Sequence, residues 1–118
     1  MKSDNIILNK SFDFALLIVD LYKELKDCKE YVISKQLLRC GTSIGANVEE
    51  AIAGQSRKDF ISKIAIASKE ARETKYWLRI LKESKLINKD LQKYLNEIEE
   101  LIKILASIVK TSQENLNK

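Results

Sequence analysis

Few side chains in this sequence are of the types that do chemistry, and their spacing limits them further. Cys28 and Cys40 stand twelve residues apart, and the chain contains no histidine. Two thiols without an imidazole cannot complete a zinc site or form a Cys-His or Ser-His nucleophile pair. Both are expected to be reduced, partly buried thiols of a cytoplasmic protein. Glu70 and Glu73 lie three apart on one helix face, the spacing of a paired-carboxylate acid/base or metal site. With no His and few other acids nearby, a structural or interface ion pair is favoured, and Arg39 is the candidate partner. Gly41 and Gly45 have GxxxG spacing, but no strand precedes them and no Lys-Ser/Thr follows, so a phosphate-cradling loop is not expected. Close approach of their helix to a neighbour is. No catalytic residue, metal or cofactor is assigned, and the chain is read as a non-enzyme.

The elements that must position these residues are helices. The 118 residues include no proline and only three glycines, where average usage would give about six prolines. Such a chain lacks the turn chemistry of a β domain. Ser11 can cap a first helix over about 11–26, with Phe14, Ile18, Leu21 and Leu25 at helical spacing. Ser34 can cap a second over 34–53, with Leu37, Gly41, Ile44, Val48 and Ala51 on one face. Ser56 followed by Asp59 resembles a capping box and opens a third helix over 57–84. Its core face is Phe60, Ile64, Ala67, Ala71, Leu78 and Leu81. Asn88 can cap a fourth over 89–113, carrying Leu91, Leu95, Ile98, Leu101, Leu105 and Ile108, with the polar tail after Thr111 fraying. Leu86 and Ile87, in the last connection, are expected to plug one end of the core. Three short connections make neighbouring helices antiparallel. The expectation is one all-α domain over 1–118, an antiparallel up-down-up-down four-helix bundle.

Two helices carry more apolar surface than a monomeric bundle needs. Ile66, Tyr76, Trp77 and Ile80 fall about 100–150° from the core face of the third helix, at 100° per residue. Phe12, Leu16 and Val19 point away from the core face of the first. A second apolar stripe implies a second buried surface, so self-association is expected, with Ile66, Tyr76, Trp77 and Ile80 at the interface. No apolar run reaches the roughly 18 residues of a membrane span. Residues 1–10 show no signal-peptide pattern.

The net charge of +4 is concentrated. Residues 56–85 hold nine basic and four acidic residues, the whole excess of the chain. Arg72, Lys75, Arg79 and Lys82 recur at i, i+3, i+7 and i+10, within about 80° of helix surface, with Arg57 and Lys58 at the helix start. Repeated around an oligomer, such a stripe suits a phosphate backbone bound by charge. No exposed aromatic is evidently interleaved for base stacking, so a single-strand platform is not expected.

The run Arg39-Cys-Gly-Thr-Ser-Ile-Gly-Ala-Asn-Val-Glu-Glu-Ala51 resembles the second-helix motif of the bacterial four helix bundle protein family, roughly R-x-x-x-S-I-x-x-N-I-x-E-G. That family includes proteins encoded by intervening sequences in 23S ribosomal RNA genes. Arg39, Ser43, Ile44, Asn47 and Glu50 match, Val48 replaces Ile, and Ala51 stands where many members have Gly. Ser56, Asp59-Phe60, Ala67, Lys69-Glu70-Ala71, Glu73-Thr74 and Tyr76-Trp77-Leu78 are similar to a common subgroup, so the likeness runs from about Phe12 to Ile108. The resemblance implies an antiparallel four-helix bundle that assembles as a homopentamer, with no catalytic activity and with ribosomal RNA as the suspected ligand. A related branch supplies accessory proteins of diversity-generating retroelements, which bind a reverse transcriptase and nucleic acid. Ala51 leaves the branch open. Arg39, Ser43, Asn47, Glu50, Glu70 and Glu73 carry over as polar motif positions without a biochemical role.

Overall fold

A heptad-like apolar stripe closes a helix wherever no Pro or left-handed residue interrupts it. The computed structural model, which describes residues 2–116, contains four such helices. They are α1 (Lys2–Asp27), α2 (Ile33–Ala53), α3 (Arg57–Ser84) and α4 (Gln92–Leu116). Each packs on its neighbours in chain order, and α4 closes back on α1. The diagonal pairs, α1 with α3 and α2 with α4, do not approach. The result is the antiparallel four-helix bundle, a rod of 50 × 21 × 21 Å. The core is the stripe set read from the sequence: Phe14, Ile18, Leu21, Leu37, Ile44, Val48, Ile64, Leu78, Ile98, Leu101 and Leu105 are all at most 1% exposed. Phe60, placed on the core face from its spacing, is only half-buried and packs at the edge of that cluster.

The helix ends differ from expectation in three places, each for a local reason. Ser11 does not begin α1. The helix starts nine residues earlier because Ile7 continues the same stripe, and Ser11 is buried inside it with Oγ donating to the Leu8 carbonyl at 3.2 Å. Ser34 does not cap α2. The Glu30 carboxylate does so, accepting from the backbone N–H groups of Val32, Ile33 and Ser34 at 3.2, 3.1 and 2.7 Å. An acid there also complements the positive end of the helix dipole. Asn88 does not cap α4: Asp90 Oδ1 accepts from the Gln92 N–H at 2.9 Å, and Leu91 stays outside the helix yet buried. Ser56 caps α3 as read, its Oγ accepting from the Asp59 N–H at 3.1 Å. The far end of α4 continues to Leu116, since Ser112 extends the buried stripe four residues beyond Ile108.

The end of α3 also corrects the plug. Lys85 takes the left-handed conformation, φ 58°, and turns the chain. Leu86 is thereby thrown outward, 57% exposed, while Ile87 only leans on the core and Leu91 seals it. The glycines act as read. A Cβ on Gly41 would sit 2.8 Å from Ile18 Cγ1, and one on Gly45 3.3 Å from the Ser11 carbonyl oxygen, so both mark close contact between α2 and α1.

Candidate nucleic-acid interface

Helix α3 places its charged residues on two flanks. Toward α2, the long acids Glu70 and Glu73 reach a single arginine. Arg39 Nη1 lies 3.2 Å from Glu70 Oε2, and Nη2 lies 2.6 Å from Glu73 Oε2. The second nitrogen also donates to Gln36 Oε1 at 3.4 Å. The Glu73 hydrogen bond raises the Arg39 guanidinium further above its already high pKa, against partial desolvation. The pairing expected from the sequence is therefore present. Its neighbours in the polar motif are not drawn into it: Asn47 donates to the Ser43 carbonyl at 2.9 Å and to Ser43 Oγ at 3.1 Å, and Glu50 is exposed. Thr74 is buried behind these acids and donates to the Glu70 carbonyl at 2.8 Å.

The basic stripe lies on the other flank, and its four positions are not equivalent. Arg72, Arg79 and Lys82 are exposed, and no ion pair holds them among the described residues. Lys75 is half-buried and paired with Glu99 of α4. The hydrogen bond from Lys75 holds the Glu99 carboxyl below its ordinary range. At the start of α3, Lys58 is exposed, whereas Arg57 lines a cleft of about 300 Å³ that Asp4 and Phe60 also line. Two exposed cations that helical spacing did not single out, Lys69 of α3 and Lys110 of α4, border the same seam. Lys69 was visible in the sequence, three residues before Arg72. Lys110 required knowing the register of α4 against α3.

The apolar positions also divide. Ile66 and Tyr76 are exposed, 40% and 53%, but Trp77 and Ile80 are half-buried and pack against the chain's own core. Trp77 Nε1 is shut from solvent without an acceptor among the described residues. Its ring meets Tyr76 edge-on, with centroids 5.4 Å apart. Tyr76 thus stands exposed between Arg72 and Arg79 on the helix surface, so one aromatic is interleaved with the cations after all. On α1, Phe12 and Leu16 are exposed at 53% and 52%, as the second stripe required.

The thiols differ from each other. Cys40 is fully buried under Thr74, and burial pushes its thiol above the ordinary value. Cys28, expected to be partly buried, is exposed because it lies in the turn after α1, just before the left-handed Lys29. Among the described residues no three of Cys, Asp and Glu gather to hold a metal ion. Among the described residues no helix is long and apolar enough to cross a membrane.

Residues 3–107 match the family described as 23S rRNA-intervening sequence protein. The chain belongs to that family. A crystal structure of a protein of unknown function from the S23 ribosomal protein family of Bacteroides thetaiotaomicron superposes with a TM-score of 0.87 at 50% identity. The superposition covers 92% of this chain and 98% of that one. No curated protein matches the chain.

Proposed function

We propose that this 23S rRNA-intervening sequence family member is a non-enzymatic, self-associating cytoplasmic bundle that binds structured RNA or DNA by charge. The observation that carries this is the set Arg72, Arg79 and Lys82, exposed along one flank of α3 and held in no ion pair among the described residues, where the chain's charge excess resides. Long, flexible cations on a rigid helix meet phosphates without reading bases. Lys75 is left out of the contact set, because its charge is spent on Glu99. The family's link to 23S ribosomal RNA genes makes a ribosomal RNA the first ligand to try.

Self-association rests on two unlike apolar patches, Phe12 and Leu16 on α1 and Ile66 and Tyr76 on α3. They sit on diagonal helices with α2 between them. Joining one patch to the other is a heterologous contact, which closes into a ring when the rotation allows. A homopentamer, as the family resemblance implies, is such a ring. Light scattering at micromolar concentration should give an oligomer, and a monomer there would remove this part.

The test of binding is the triple variant R72E/R79E/K82E in a mobility-shift assay with structured RNA. Affinity should fall on the order of 100-fold at low salt, with the helical circular dichroism unchanged. Unchanged affinity would overturn the reading.

A second reading has its own observation. Tyr31, Val32 and Leu86 are exposed, 52%, 71% and 57%, on the two connections that share one end of the rod. Such an apolar end suits a protein-interaction adaptor for a partner such as a reverse transcriptase. A neighbouring reverse transcriptase gene would favour it, and a surrounding ribosomal RNA gene would favour the first.

A further inference from the structure

Between α3 and α4 runs an open groove of about 350 Å³. Besides its cations it is lined by Ala65 and Ser68 of α3 and by Ala106, Val109 and Gln113 of α4, with small side chains on both walls of the floor. Its rim carries three cations, Lys69 and Arg72 from α3 and Lys110 from α4. All three are exposed, and none makes an ion pair or side-chain hydrogen bond within the described residues. Among the described residues no carboxylate lines the groove. The acids of α3 nearest in sequence, Glu70 and Glu73, are held on the opposite flank by Arg39. Three unneutralised charges converging on a concave surface make a field that organised ion pairs elsewhere on the bundle do not. The cleft at the start of α3, by contrast, is also lined by Asp4.

We propose that this groove holds a backbone phosphate of a structured nucleic acid, with Lys69, Arg72 and Lys110 as its contacts. The proposal rests on the nucleic-acid reading above and adds to it a place and two residues outside the stripe. Arg72 supplies the planar fork that matches two phosphate oxygens, and the lysines act as point charges on either wall. The Ser68 hydroxyl on the floor is a donor within the same depression. From the groove the chain of phosphates continues along α3 past Arg79 and Lys82, while Lys75, tied to Glu99, contributes nothing.

The experiment compares K69M/K110M with K23M/K93M, which removes the same charge from exposed lysines of α1 and α4 that do not line the groove. Affinity for a structured ribosomal RNA fragment is measured between about 50 and 200 mM salt. The groove variant should bind about tenfold more weakly, with a log–log salt slope smaller by about 2, and the control within about twofold of the parent. Equal losses in the two variants would overturn the groove while leaving the stripe, provided R72E/R79E/K82E still abolishes binding. No binding by the parent protein would overturn the nucleic-acid reading itself. Poly-glutamate competing as well as RNA at equal charge would also overturn the proposal and place an acidic protein in the groove.

Discussion

The two flanks of α3 carry opposite charge, and the helices beside them treat that charge differently. Facing α2, Glu70 and Glu73 are brought onto Arg39, and the seam is internally neutralised beside a half-buried Trp77. Facing α4, one lysine finds Glu99, and Lys69, Arg72 and Lys110 are left without a carboxylate among the described residues. α3 sets acids on one flank and cations on the other, and its neighbours decide which of them are paired. A row of charges along one helix states how many cations there are, and the adjacent helix decides how many remain available. Surface ion pairs add little stability, so their main effect here is to decide where the uncompensated field lies.

Breaking this contrast requires first that both flanks stay fixed. Gly41→Val should loosen the whole bundle, because the Ile18 side chain 2.8 Å from the new Cβ is fully buried and cannot yield. Urea unfolding should show a loss of about 2–3 kcal/mol, typical of overpacking. Cys40, beside it, should then react with a thiol reagent in the folded state, where in the parent only Cys28 does.

Removing the neutralising partner on the α2 flank should cost less. Arg39→Ala leaves Glu70 and Glu73 adjacent and unopposed, and the pair is partly exposed, so about 1 kcal/mol is expected in thermal or urea unfolding. RNA affinity should change less than about twofold, since the proposed phosphate contacts lie on the other flank. A loss equal to that of R72E/R79E/K82E would erase the distinction between the flanks.

The smallest effect belongs to Lys75→Met. Glu99 has its pKa lowered from 4.5 by Lys75, so the pair stabilises the fold above that value and loses its effect as pH falls through the depressed folded value. The stability difference between parent and K75M should therefore be present at neutral pH and vanish once the pH has fallen below the depressed folded value of Glu99. RNA affinity should be almost unchanged, which separates Lys75 from its three stripe neighbours.

The fold was largely legible because it depends on one-dimensional spacing. Apolar residues at Phe14, Ile18, Leu21 and Leu25, or at Leu95, Ile98, Leu101 and Leu105, name their own helix face. Helix starts were less legible. Ser11 and Ser34 have the right chemistry for caps, but Ile7 prolongs one helix and Glu30 serves the other. Asn88 loses its place to Asp90 in the same way. The Arg39 pairing could be anticipated because two carboxylates beside an apolar stripe need a cation. The state of Lys75 and the part played by Lys110 could not. Both depend on the register of α4 against α3, which no spacing within a single helix encodes.

Lysine footprinting tests the contrast most directly, since it reads each flank in the folded protein. The protein is acetylated with and without a structured ribosomal RNA, and each site is quantified by mass spectrometry. Lys69, Lys82 and Lys110 should be protected by RNA, while Lys23 of α1 and Lys35 of α2 keep their reactivity. Equal protection at all five lysines, or protection confined to Lys23 and Lys35, would contradict the account.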